Sequence, residues 1–405
     1  MNIQPILKKA LDDNKTSKPA EEKKKIKEII AKINSLLKKN RIKAEVKLGG
    51  SAAKDTYLGD DFDVDIFVMF DYNKYKEENL SKLLKKAIAP LKPVLVHGSR
   101  DYYQVQKRYE IIPVIKIKKY KDIINVTDAS PLHVNWVNSN VKKNKKLPDD
   151  IKLAKLFFKS CSCYGAESYI KGISGHVTDI LVIYYKSFMN LIRAIAKWKD
   201  STEIDIQKHK TILDKSKIVG PLTVIDPIQP NRNAAAAVSK EIYEILKKRA
   251  KEFLSNPTSD FFKIPQFKIE EAKKEYNLIL KAVPKAGKKD VVGAKLMKAF
   301  EFFEEKLEDF NVEKAIWHWD KEKDCHFCFK LKILVLPEYY EAQGPTTQYP
   351  EHIENFKKKH PNNYMKADRI FAKVKRDITK IDAFVAELRK DSYVQDKVKS
   401  LETVR

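Results

Sequence analysis

Residues 48–67, LGGSAAKDTYLGDDFDVDIF, constrain the fold of this chain more than any other stretch. Val46 and Leu48 close an apolar run, and Gly49-Gly50-Ser51 follows at once, where a strand must turn into a short helix. Backbone N–H groups at such a turn point outward and favour phosphate oxygens. About a dozen residues on, Val64 to Phe70 is β-branched and aromatic, with apolar residues on both faces of a predicted strand. Side chains on a strand repeat every two residues, so Asp63 and Asp65 project from one face. Two neighbouring carboxylates repel each other unless a cation bridges them, and oxygen-only ligands of that kind suit Mg²⁺. A glycine turn alone, or an Asp-x-Asp pair alone, is a common surface feature. In this order and at this spacing they form a phosphate cradle beside a metal-binding pair, which is what nucleotidyl transfer needs.

The rest of the composition narrows the partner. With 405 residues the chain is long enough for two to four domains. Its 80 Lys and Arg against 55 Asp and Glu give a formal charge of +25, which favours a polyanion, nucleic acid being the commonest. The plainer alternative is that lysine-rich helices keep the protein in solution. Only ten of the basic residues are arginine, so each marks a place where a planar, bidentate donor is worth looking for. No apolar run is long enough to span a bilayer and no N-terminal h-region is present, so a cytoplasmic protein without membrane attachment is expected. The cysteines pair as Cys161/Cys163 and Cys325/Cys328. A spacing of two in a predicted helix and an odd offset on a predicted strand send each pair apart, which argues against a structural zinc site.

Along the chain, Lys18 to Asn40 is an amphipathic helix with Ile26, Ile29, Ile30, Ile33 and Leu37 on one stripe. A helix at Leu80 to Ala89 and strands at Val94–His97, Tyr102–Gln106 and Tyr109–Ile117 complete a mixed unit ending near residue 138. Glu110 is the only acid in the last of these strands, either a third site carboxylate or a surface group on an edge strand. From Asp149 to Lys199 the pattern is helical, with one helix to Cys163, a Gly/Ser break through Gly175, and then a long helix. Ser239 to Phe253 closes a second unit. Beyond Asn256-Pro257 come a strand at Asn277–Val283, a helix carrying Leu296, Phe300, Phe303 and Leu307, and a hairpin from AIWHW to CHFCFKLKIL. The remainder reads as basic and helical.

The motif GSAAKDTYL with DVDIF resembles the nucleotidyltransferase superfamily built on the DNA polymerase β palm, and in particular the head of archaeal-type, class I CCA-adding tRNA nucleotidyltransferases. TDASPLHVNW at 127–136 is similar to the segment closing that head, and residues 152–188, with their Tyr-Gly-Ala-Glu turn, to its neck. IDPIQPNRNAAAAVS at 225–239 resembles the nucleotide-selecting segment, and GPTTQYPEHIENFKKKH at 344–360 the end of the body. The likeness runs from about residue 40 to about 375. It implies an α+β protein with a polymerase β-like catalytic head at 1–138 and a helical neck that selects the nucleotide at 139–256. An α/β body that binds RNA would follow at 257–360, and a short helical tail at 361–405.

The resemblance also implies the chemistry. Gly50, Ser51 and Lys54 would bind the triphosphate. Asp63, Asp65 and Glu110 would hold Mg²⁺ and be catalytic, Glu110 standing where the family usually has Asp. His133, Lys155 and Tyr164 would hold triphosphate and sugar from the neck side, and Arg232 would read the Watson–Crick edge of the incoming base with help from a tRNA phosphate. The expected reaction is template-independent addition of C, C and A to the 3′ end of tRNA from CTP and ATP, with release of pyrophosphate, and the resemblance implies a homodimer. Two alternatives stay open at this point. A poly(A) polymerase or oligoadenylate synthetase would share the palm and use ATP alone. An RNA-binding protein with a decayed palm would show no turnover, though the intact turn and all three acids speak against it.

Overall fold

The structure, a computed structural model, describes residues 2–60, 62–209 and 213–404. The chain divides into two units, one reaching Pro265 and the other starting at Gln266.

In the first unit, α1 (Gln4–Asp12) precedes α2 (Pro19–Lys39). Pro19 at the start, Glu21 and Glu22 in the first turn and Lys38 and Lys39 in the last all suit the helix dipole, and Ile26, Ile29, Ile33 and Leu37 are buried. Then come β1 (Ala44–Leu48), α3 (Gly50–Lys54), β2 (Val64–Asp71), α4 (Tyr72–Tyr75) and α5 (Leu80–Ile88). Strands β3 (Val94–Val96), β4 (Tyr102–Val105) and β5 (Tyr109–Lys116) complete a sheet ordered β1-β2-β5-β4-β3. Only β2 and β5 run parallel; the other neighbours are antiparallel. One sheet face, with Val64, Ile66, Val68 and Phe70, packs on α2 and α5. The other, with Phe67, Met69 and Val114, packs on Val134 of α6 (Ser130–Lys143) and on Ala53. Strand β5 is central, so Glu110 is not an edge-strand carboxylate. Buried Asp128 fixes α6 to this sheet, accepting from Arg100, from the Ile115 N–H at 2.8 Å and from the Asn125 N–H at 2.8 Å.

The helical part contains α7 (Leu147–Ser160), α8 (Gly175–Tyr185) and α9 (Phe188–Ile195), the short parallel pair β6 (Thr202–Ile204) and β7 (Leu222–Val224), and α10 (Lys240–Ser255). Phe157, Phe188, Phe253, Phe261 and Phe262 pack ring against ring at its centre. Two expectations change here. The long helix after Gly175 is two helices, because Lys186 turns left-handed at φ +69° and Ser187 caps α9 with its hydroxyl. Helix α7 ends at Ser160, so Cys161 and Cys163 lie in the turn that follows rather than on a helix. Leu7 and Ala10 of α1 are also buried in this helical core.

The second unit holds α11 (Ile269–Glu275), β8 (Leu278–Pro284), α12 (Lys289–Lys306), β9 (Val312–Trp319) and β10 (Cys325–Leu331). Phe327 and Phe329 face Phe300 of α12, while His318 and His326 stack on Phe267 across the sheet. Cys325 and Cys328 accordingly point to opposite faces of β10. After β11 (Tyr339–Thr346) and α13 (Pro350–Lys359), the last residues depart from the helical expectation. They contain β12 (Asn363–Lys366) and β13 (Arg369–Lys375), which pair into a sheet with β11, then α14 (Ile381–Leu388), α15 (Ser392–Lys397) and β14 (Val398–Thr403). The physical reason is alternation: Ile370 and Ala372 are buried between outward Arg and Lys, a period of two hidden in a basic composition. Strand β14 pairs with β8, giving the order β14-β8-β10-β9.

Candidate active site

The site begins at the turn between β1 and α3. The Gly49 N–H donates to the Asp65 carbonyl at 2.7 Å, and a Cβ on Gly49 would lie 2.5 Å from the Phe67 ring. Gly50 has φ +53°, and a Cβ there would lie 1.6 Å from Asp65 Oδ2. The turn is therefore pressed directly against the carboxylate, an approach that only glycine permits.

Asp65 and Glu110 are register partners across the parallel pair β2/β5, and Asp63 stands two residues before Asp65, just outside the strand. Topology thus brings together three acids that the sequence separates by almost fifty positions. Burial pushes the Asp65 carboxyl up to about 6, opposed by the nearby Lys54 ammonium and reinforced by Asp63. The Tyr102 hydroxyl donates to Glu110 Oε1 at 3.4 Å, and burial together with these carboxylates raises its phenol. All the donors on this wall are oxygen, the set that suits Mg²⁺.

A lysine group flanks the acids, and α8 joins it to a second group. Lys54 at the end of α3 pairs with fully buried Asp179 of α8, so its ammonium is held by a carboxylate that sequence reasoning did not single out. Lys155 of α7 is buried and donates to the Thr56 carbonyl at 2.8 Å and to its hydroxyl at 3.1 Å. Burial lowers its ammonium to about 8, with Asp179 acting in the other direction. Tyr164 lies beside the N-terminus of α8, where a Cβ on Gly175 would come within 2.8 Å of its hydroxyl, and Lys159 sits over its ring at 5.3 Å. Burial raises its phenol, and Asp179 adds to that.

The second group centres on Asp226, which has no exposed surface. Its Oδ1 accepts from His133 Nε2 at 2.9 Å and from the Ile228 and Gln229 N–H groups at 2.9 and 3.0 Å. Its Oδ2 accepts from His176 Nε2 at 3.2 Å and from Arg232 Nη1 at 3.2 Å. Burial alone would raise this carboxyl, but the hydrogen bonds from the two histidines hold it far below the usual carboxylate range. Burial in turn lowers the imidazolium of His133. His176 and Asp179 are one turn apart on α8, so that helix joins this group to the lysine group.

The sequence therefore located Gly50, Ser51, Asp63, Asp65, Glu110, His133, Lys155, Tyr164 and Arg232 on the elements named, with Ser51 in α3 beside Lys54. It missed Asp226, His176 and Asp179. A signal existed for Asp179, the only acid in the otherwise apolar run VTDILVIYY. Among the described residues, His133, His176 and Asp226 are the group whose ligand atoms all come within 4.8 Å of one another.

Comparison with known proteins finds relatives over most of the chain. Residues 23–152 match the family model for a nucleotidyltransferase domain, 149–263 that for the tRNA nucleotidyltransferase second domain, and 284–401 that for the CCA-adding enzyme C-terminal domain. The CCA-adding enzyme of Methanocaldococcus jannaschii is 30% identical over 408 residues, 94% of this chain and 89% of that protein. That of Nanoarchaeum equitans is 38% identical over 277 residues, 63% of this chain and 69% of its own length. The solved structure of a cytoplasmic RNA terminal U-transferase superposes with a TM-score of 0.52 over 65% of this chain and 99% of that one. At 14% identity that likeness speaks for the fold alone.

Proposed function

The chain belongs to the CCA-adding enzyme family, and on that premise we propose that it uses CTP and ATP and divides the work among the three groups just described. The reaction is template-independent addition of nucleotides to the 3′ end of tRNA, in which the terminal hydroxyl attacks the α-phosphate and pyrophosphate leaves. Asp63, Asp65 and Glu110 would hold Mg²⁺. When bound, such ions stabilise the attacking and leaving oxygens of an in-line displacement. Ser51 and the Gly50 backbone receive triphosphate oxygens, and Lys54 and Lys155 supply positive charge next to them. His133 and Tyr164 orient triphosphate and sugar. Arg232, whose side chain is 41% exposed, presents the rest of its guanidinium to the base.

One observation carries this reading. The phosphate-binding turn touches Asp65, and Asp65 lies in register with Glu110, so cradle and acids form one surface. In this reading the head spans residues 1–138, with α1 reaching over into the helical core, and the neck 139–256; RNA binding falls to the residues beyond, and the enzyme works in the cytoplasm, as a homodimer. No helix among the described residues is long and apolar enough to cross a membrane.

The assignment of base selection is tested by Arg232→Lys, which keeps charge and loses the planar fork. Single-nucleotide incorporation from CTP, ATP, UTP and GTP should show slower addition of C and A and measurable entry of U. An unchanged ratio of CTP to UTP would remove Arg232 from that role.

A further inference from the structure

We propose that Asp226 is a positioning residue for base selection, its buried carboxylate aiming the guanidinium of Arg232 while His133 and His176 hold that carboxylate in place. The inference rests on the reading that Arg232 meets the base. Asp226 itself is fully buried and reaches a nucleotide only through Arg232.

The carboxylate accepts five hydrogen bonds from three parts of the fold: His133 on α6, His176 on α8, and two N–H groups and Arg232 of its own loop. With both oxygens taken in this way, its plane has no freedom left. The same residue also fixes the arginine's main chain, since the Asp226 N–H donates to the Arg232 carbonyl at 3.1 Å. The Arg232 N–H closes the loop on Gln229 O at 3.0 Å. Arg232 is thus gripped at its backbone and at one amino group, with its long stem spanning between. A guanidinium is planar, so fixing one nitrogen by a charge-assisted hydrogen bond fixes the direction of the remaining donors. The Arg232 side chain stays partly exposed, so its remaining donors are left for a base edge.

His133, His176 and Asp226 are also residue types that ligate transition metals. Here the carboxylate oxygens already accept five donors, one of them a guanidinium 3.2 Å away. That arrangement suits aiming a cation-bearing side chain more than gathering a second cation.

The test compares Asp226→Asn with Arg232→Lys and with the double variant, measuring CTP, ATP and UTP incorporation on tRNA lacking its 3′ end, with thermal melting and tRNA affinity alongside. Asp226→Asn should lower the CTP to UTP ratio roughly tenfold or more, the worth of one charge-assisted hydrogen bond. The double variant should be no less selective than Arg232→Lys alone, because both changes remove one device. If Asp226→Asn slows all three nucleotides alike and leaves the ratio intact, Asp226 is merely structural and the proposal is overturned. A double variant well below either single one would also overturn it, since Asp226 would then act apart from Arg232. An unchanged ratio in Arg232→Lys itself would refute the underlying reading, and the proposal with it, without reference to Asp226. Should Asp226→Asn not fold, Asp226→Glu keeps the charge and shifts the carboxylate by one methylene. The same ratio, changed or unchanged, then decides.

Discussion

Replacing Gly50 with alanine tests the contact between cradle and acid in a single atom. The new Cβ would stand 1.6 Å from Asp65 Oδ2 and 2.6 Å from its Cγ. A comfortable C···O contact is about 3.3–3.6 Å, so the carboxylate must retreat by roughly 2 Å. A misplacement of about 1 Å in a reacting site can cost about a hundredfold, so kcat for nucleotide addition should fall at least that much. The left-handed φ of +53° adds a second effect, a backbone strain of about 1–2 kcal/mol for an L-residue. At roughly 2–4 °C per kcal/mol for a unit of this size, the melting temperature should drop by a few degrees. Gly59 supplies the control. Its φ is +63° and a Cβ there meets nothing within 4 Å, so Gly59→Ala carries the strain without the collision. Steady-state addition of CMP to trimmed tRNA and thermal melting should give similar melting losses in both variants and an activity loss in Gly50→Ala only. Equal activity in the two variants, or more than a tenth of wild-type turnover in Gly50→Ala, would refute the reasoning.

Three further outcomes follow from named groups. Glu110→Gln should be nearly inactive and Glu110→Asp substantially active, because the amide loses the charge that holds a cation; wild-type turnover in Glu110→Gln would remove it from the site. Lys155 is held at about 8 by burial, below its ordinary 10.5, so the unfolded chain keeps a proton that the folded one has lost. The nucleotide-free wild type should therefore gain up to about 3 kcal/mol relative to Lys155→Met as pH rises from about 8 towards 10.5, and parallel stability curves would contradict this. The formal charge of +25 should show as a steep linear fall of log tRNA affinity with log salt, whereas a flat dependence would make the lysines solvating only.

Much of the site was legible because it obeys local rules. The Asp-x-Asp spacing flagged Asp63 and Asp65, although β2 starts only at Val64, and the glycines marked the turn. Glu110 stood out as an acid in an apolar run, and only the sheet order shows that its strand is central. What sequence periodicity could not supply was pairing at a distance. His133 meets Asp226 across 93 positions and Lys54 meets Asp179 across 125, and no local pattern announces either. The break between α8 and α9 was hidden because apolar residues flank it on both sides; its signals were Lys186 and the serine cap at Ser187. The strands beyond residue 360 were hidden by lysines that read as a solvated helix but alternate as a strand.

The account is tested most directly by supplying tRNA that lacks its 3′ end with CTP and ATP, singly and together, to the wild type and to Asp65→Ala, and sequencing the products. It predicts that CTP alone adds C, that the two together complete CCA and stop, and that Asp65→Ala binds the tRNA nearly as tightly but adds nothing. A run of A residues from ATP alone would contradict the account, as would addition by Asp65→Ala at more than a few per cent of the wild-type rate.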